Sequence, residues 1–173
     1  MKFSELAWGA FIFRYGYNDD SIYMPLVSDA YFLVRLKTNP SLEDLDKLRE
    51  FLVHYGVRHA PKNLGEQYLK IWNRLQPHLQ RLSDERLENC KFDEPQIQDE
   101  IRTAYYLLEF GAWGGDTVVS KILHFCNTSF FVMWDIYIQS GKFGPQGYFE
   151  FLQTMQREAV EVVEDFKRLG LAG

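Results

Sequence analysis

The sequence predicts an all-α fold, and three observations carry the prediction. Apolar residues recur at helical spacing in most long segments, strand-type alternation and hairpin-type turn pairs are scarce, and helix start and stop residues bracket the periodic runs. With 173 residues, 46% of them hydrophobic and 16% aromatic, there is enough apolar surface to offset the chain entropy lost on folding. We therefore expect one compact multi-helix domain spanning 1–173, with no internal repeat.

Helices are expected within the first forty residues, although "AWGAFIFRYGY" and "AYFLVRLKT" mix helical, β-branched and aromatic preferences and set no boundaries. The segment "NPSLEDLDKLREFLVHYG" is clearer. Ser41 is a natural N-cap with Asp44 three residues on, Leu42, Leu45, Leu48 and Leu52 form a stripe, and Gly56 supplies a left-handed stop. After the loop "VRHAPKN", residues Leu64, Tyr68, Ile71, Trp72, Leu75, Leu79 and Leu82 share a face, and Pro77 is expected to kink or split that helix.

The polar linker "SDERLENCKFDEP" precedes a helix with the stripe Ile97, Ile101, Ala104, Tyr105 and Leu108, ending near Phe110. A Gly-rich turn with Gly111, Gly114 and Gly115 follows, and a new helix opens at Asp116 or Thr117. Such a helix start presents unpaired N–H groups that suit a phosphate or another anion. The last helix carries Tyr148, Leu152, Met155, Ala159, Val162, Val163, Phe166 and Leu169 on one face and closes at Gly170. Its acidic run "REAVEVVEDF" reads as a solvent face or a homodimer surface.

Helix, "GAWGG" turn, helix, loop and then an aspartate resembles the helix-hairpin-helix DNA glycosylase superfamily, which includes endonuclease III and the adenine and alkylpurine glycosylases. The likeness covers about residues 97–140, and nineteen residues, 116 to 134, separate Gly115 from Asp135. The resemblance implies that Asp135 is the catalytic carboxylate. It also implies that Gly111, Gly114, Gly115, Asp116 and Thr117 hold the backbone of duplex DNA. Trp134 and Lys121 are further candidates for support, although Lys121 lies one helical turn beyond the family's lysine and is not carried over from it. Such a lysine on an apolar helix is more often snorkelling or paired. In the bifunctional members a Schiff-base lysine stands where this chain has Thr117, so the resemblance implies monofunctional base excision without strand cleavage. A carboxylate suits that chemistry, because breaking an N-glycosidic bond builds positive charge on the sugar. Aromatic side chains such as Trp8, Trp72, Trp113 and Trp134 suit an extruded base.

Other readings of the same residues stand beside this one. Asp135 suits a helix N-cap or a buried partner of Lys121 or Arg14, and the chain suits a non-enzymatic helical binding or regulatory protein that retains only the scaffold. Nineteen Lys and Arg against 24 Asp and Glu leave a net charge of −5, so any contact with DNA is expected to be a local patch, such as the "RHAPKN" loop with Lys70, Arg74 and Arg81. His124 reads as a core histidine. No metal and no cofactor is expected, because His54, His59 and His78 lack ligand partners at suitable spacing, and Cys90 and Cys126 form no paired motif. No apolar run reaches the roughly 20 residues of a membrane span, and the start lacks a signal-peptide pattern, so a cytoplasmic protein is expected.

Overall fold

The computed structural model describes residues 20–55, 57, 60–110, 115–134 and 147–170. These contain seven α-helices, one short 3-10 turn and, among the described residues, no β-strand, in agreement with the expected all-α class. The helices are α1 (Asp20–Ser28), α2 (Ala30–Thr38), α3 (Leu42–His54), α4 (Leu64–Arg81), α5 (Pro95–Leu108), α6 (Gly115–Cys126) and α7 (Tyr148–Arg168). No helix among the described residues is long and apolar enough to cross a membrane.

Local chemistry explains most of the boundaries. The Asp29 carboxylate accepts the Phe32 N–H at 2.9 Å and so starts α2 with a single residue between it and α1. At α3 the expected cap is a full capping box. The Ser41 hydroxyl accepts the Asp44 N–H, and the Asp44 carboxylate accepts the Ser41 N–H at 3.1 Å. Pro95 occupies the first turn of α5, where its missing N–H removes no helical bond. Gly170, with φ +68°, closes α7 in the left-handed region.

Pro77 does not split α4, which runs unbroken from Leu64 to Arg81. The proline deprives the Asn73 carbonyl of its partner, but Asn73 is exposed to water, while Leu64, Tyr68, Leu75 and Leu79 anchor the opposite face. Two stripes are narrower than expected. Leu42 at the start of α3, and Val163 and Leu169 toward the end of α7, are exposed, whereas Phe151 joins Tyr148, Leu152 and Val162 in the buried face of α7.

α4 packs most extensively on α5 and also contacts α2 and α3, and α7 lies against the 3-10 turn Leu87–Asn89. At the centre is α6, in contact with α2, α3 and α5, and every residue from Val118 to Cys126 is buried. A helix apolar on all sides must lie inside a domain. Its three polar members, Ser120, Lys121 and His124, are each hydrogen-bonded to a different part of the chain.

Candidate site at the head of the central helix

α5 ends in a wider turn through Glu109 and Phe110, leaving Phe110 80% exposed and Tyr106 52% exposed beside it. Gly111 and Gly114 lie outside the described residues. Gly115 opens α6 with φ +62°, and an added Cβ there would meet nothing within 4 Å. The requirement for glycine is therefore conformational, not steric, because L-residues enter the left-handed region only at a cost. Asp116 lies in the first turn of α6, where a negative charge complements the helix dipole, and its carboxylate accepts the Tyr105 hydroxyl from α5. Thr117 follows, partly exposed.

Further along α6, Ser120 clamps the main chain of Trp134. Its hydroxyl accepts the Trp134 N–H at 2.9 Å and lies 2.9 Å from the Trp134 carbonyl, to which it donates. The Trp134 indole is buried, stacked on Tyr148 and Phe151 at centroid distances of 5.8 and 5.5 Å, and its Nε1 finds no acceptor among the described residues. Trp134 is thus held both by its backbone and by its ring. Asp135, the next residue, lies outside the described residues.

The ammonium of Lys121 donates to the Tyr55 carbonyl at 2.9 Å. Tyr55 caps α3, so this buried cation satisfies a carbonyl at the negative end of a helix. His124 is a core histidine, as expected. Its Nδ1 lies 2.7 Å from the Phe131 carbonyl, which can only accept, so Nδ1 carries the proton and Nε2 accepts from the Tyr23 hydroxyl at 2.9 Å. Burial pushes the His124 pKa below its ordinary value, against a smaller opposing effect of the Phe131 bond.

Above the head of α6, a cleft of about 290 Å³ opens between α5 and the first turn of α7. Tyr105, Tyr106, Tyr148 and Phe149 supply its aromatic surface. Tyr105 and Tyr148 stack at 5.2 Å, and the Tyr148 hydroxyl donates to the Val132 carbonyl at 3.0 Å. Burial raises both phenol pKa values, and the Asp116 bond raises that of Tyr105 further, so both hydroxyls stay protonated as donors at neutral pH. The charged lining consists of Glu109, Asp116 and Glu150 against one guanidinium, Arg102, which sits 4.8 Å from the Phe149 ring centroid. The Glu150 carboxylate folds back over the start of α7, and a side chain at Gly147 would displace it.

Two polar clusters escaped the sequence reading. Asp44 is buried and accepts from Arg35 Nη2 at 2.7 Å and from the Ser41 hydroxyl at 2.7 Å, and the Arg35 bond leads in lowering its pKa to about 2. Glu100, also buried, takes His78 Nδ1 at 2.5 Å and Arg81 at 2.7 Å, tying α5 to the C-terminal turn of α4. Neither carboxylate was foreseeable as a bridge between helices, since the cationic partners lie 9 to 22 residues away. Among the described residues, no group of three or more His, Cys, Asp or Glu side chains is placed to hold a metal ion. No protein-family model, curated protein or solved structure matches this chain.

Proposed function

We propose that this domain binds damaged duplex DNA and excises a base with Asp135 as the catalytic carboxylate, leaving the strand intact. The observation that carries the reading is the first half of α6. A left-handed Gly115 opens α6, and Ser120, one turn further on, fixes the main chain of the residue that precedes Asp135. The chain entering position 135 is thereby tied to the same helix whose first N–H groups, near Asp116 and Thr117, would face a phosphate. Excision without lyase chemistry follows from Thr117 at the position of the Schiff-base lysine in the similar family, and from Lys121 being engaged on the Tyr55 carbonyl. In this mechanism the Asp135 carboxylate stabilises the positive charge that develops on the sugar as the glycosidic bond breaks, or activates the attacking water.

The test is fluorescence anisotropy at low salt with labelled duplexes, plain and carrying an abasic-site analogue, followed by a base-excision screen on those that bind. We expect a preference for the abasic analogue that falls with salt and with replacement of Gly114 and Gly115. Asp135→Asn is expected to abolish excision and leave binding largely intact; excision that survives this substitution rejects the assignment.

A second reading, a non-enzymatic binding or regulatory protein, is favoured by one specific observation. Three carboxylates against one guanidinium line the cleft beside Asp116, a field that repels phosphate. Absence of duplex binding even at low salt selects this reading.

A further inference from the structure

We propose that the cleft between α5, the head of α6 and the first turn of α7 is a binding site for an organic cation, a guanidinium or alkylammonium group on a short apolar stem. The charged walls are predominantly negative, with three carboxylates against one guanidinium. Aromatic faces carry negative potential, and the four ring-bearing residues of the lining present no cation of their own. Glu109 and Glu150 also line the cleft, and neither has a hydrogen-bonding or cationic side-chain partner among the described residues.

The cleft already contains one example of the contact proposed. Arg102 lays its guanidinium over the Phe149 ring at 4.8 Å, on the α5 side of the same lining. The protonated hydroxyls of Tyr105 and Tyr148 are occupied by Asp116 and the Val132 carbonyl, so neither is a free donor. Tyr148, buried between Tyr105 and Trp134, backs the cleft, and Tyr106, half-exposed, offers it ring surface. An anion would find a single cation there, and a neutral polar molecule would leave Glu109 and Glu150 uncompensated. At about 290 Å³ the space is at the small end for ligand sites, and suits a side-chain-sized group better than a nucleotide. Two sources supply such a group: a free amine of low molecular mass, or an arginine side chain projecting from a peptide.

The experiment is an NMR titration of the full chain with n-butylguanidinium, with its neutral isostere n-butylurea, and with the tripeptide amide acetyl-Gly-Arg-Gly-amide. We expect n-butylguanidinium to shift the backbone amides of Tyr105, Tyr106, Glu109, Asp116 and Phe149, and n-butylurea to leave them in place. Glu109→Gln is expected to weaken binding about fivefold, the effect of one carboxylate near a surface cation, and added salt to weaken it further. Tyr106→Ala, at a half-exposed position where folding is not at stake, should weaken it separately through the lost ring face. If the tripeptide produces the same shifts, the source is a peptide arginine; if only the free cation does, it is a small amine. Equal binding of n-butylurea, shifts at other amides, or no shifts at millimolar n-butylguanidinium overturns the proposal.

Discussion

Replacing Ser120 with alanine tests whether the central helix holds the chain that leads into position 135. The Ser120 side chain is fully buried, and its hydroxyl serves both main-chain groups of Trp134, each at 2.9 Å. Alanine has nearly the same volume, so no cavity term arises and the loss is one of hydrogen bonding. A buried N–H or C=O left unpaired costs about 1–3 kcal/mol, and the carbonyl, with two lone pairs, lies at the lower end. We therefore expect Ser120→Ala to destabilise the domain by about 2–4 kcal/mol. With a urea slope of about 2 kcal/mol per molar for a chain of this size, the unfolding midpoint should fall by about 1–2 M. Amide exchange at Trp134 should accelerate relative to Val119, whose environment is unaltered. A midpoint within about 0.3 M of the parent, with unchanged exchange at Trp134, would refute the clamp and remove the support it lends to a fixed approach to Asp135.

Two pH predictions follow from buried groups with opposite chemistry. The Asp44 pKa is lowered to about 2, so its contribution to stability is complete above the ordinary carboxylate value of 3.8 and is lost as pH falls through about 2. The shift corresponds to about 2.5 kcal/mol, which solvent screening at the 43% exposed Arg35 reduces to about 1 kcal/mol. Urea midpoints between pH 5 and pH 2 should show this component in the parent and lack it in Asp44→Asn. His124, neutral in the fold with its pKa below the ordinary 6.5, likewise stabilises the protein above that value. That contribution declines as pH drops below 6.5 because the unfolded chain binds a proton the folded one refuses. The thermal midpoint of the parent should fall between pH 7 and pH 5 more steeply than that of His124→Gln, and parallel slopes would contradict the buried Tyr23–His124–Phe131 arrangement.

Features governed by neighbours in sequence were legible. The Ser41 and Asp44 capping box, a helix opening within a residue or two of Gly115, and the stop at Gly170 follow from dihedral preference, cap chemistry and helical period, all of which act within a few residues. The stripe of α7 was overdrawn because period alone marks a face, and only packing decides how far along the helix that face is covered, which left Val163 and Leu169 in water. Of the two outcomes expected at Pro77, a split does not occur: the proline removes one helical bond, but packing of α4 on α2, α3 and α5 holds the helix together through it.

The candidate site divides along the same line. The sequence alone determined that two helices flank a glycine-rich segment, and that the second helix is apolar and carries Ser120, Lys121 and His124. What those three residues do was decided only in three dimensions. Their partners stand 14 residues away for Ser120, 66 for Lys121, and 7 and 101 for His124, separations at which no periodicity or cap rule operates. The cleft has the same origin, with Tyr105, Asp116 and Tyr148 converging from three helices. Apolar patterning tells the chain which residues to bury. Which polar groups meet inside follows from the cost of leaving a buried donor or acceptor unpaired, and the partners of Ser120, Lys121 and His124 come within reach only once the helices have packed.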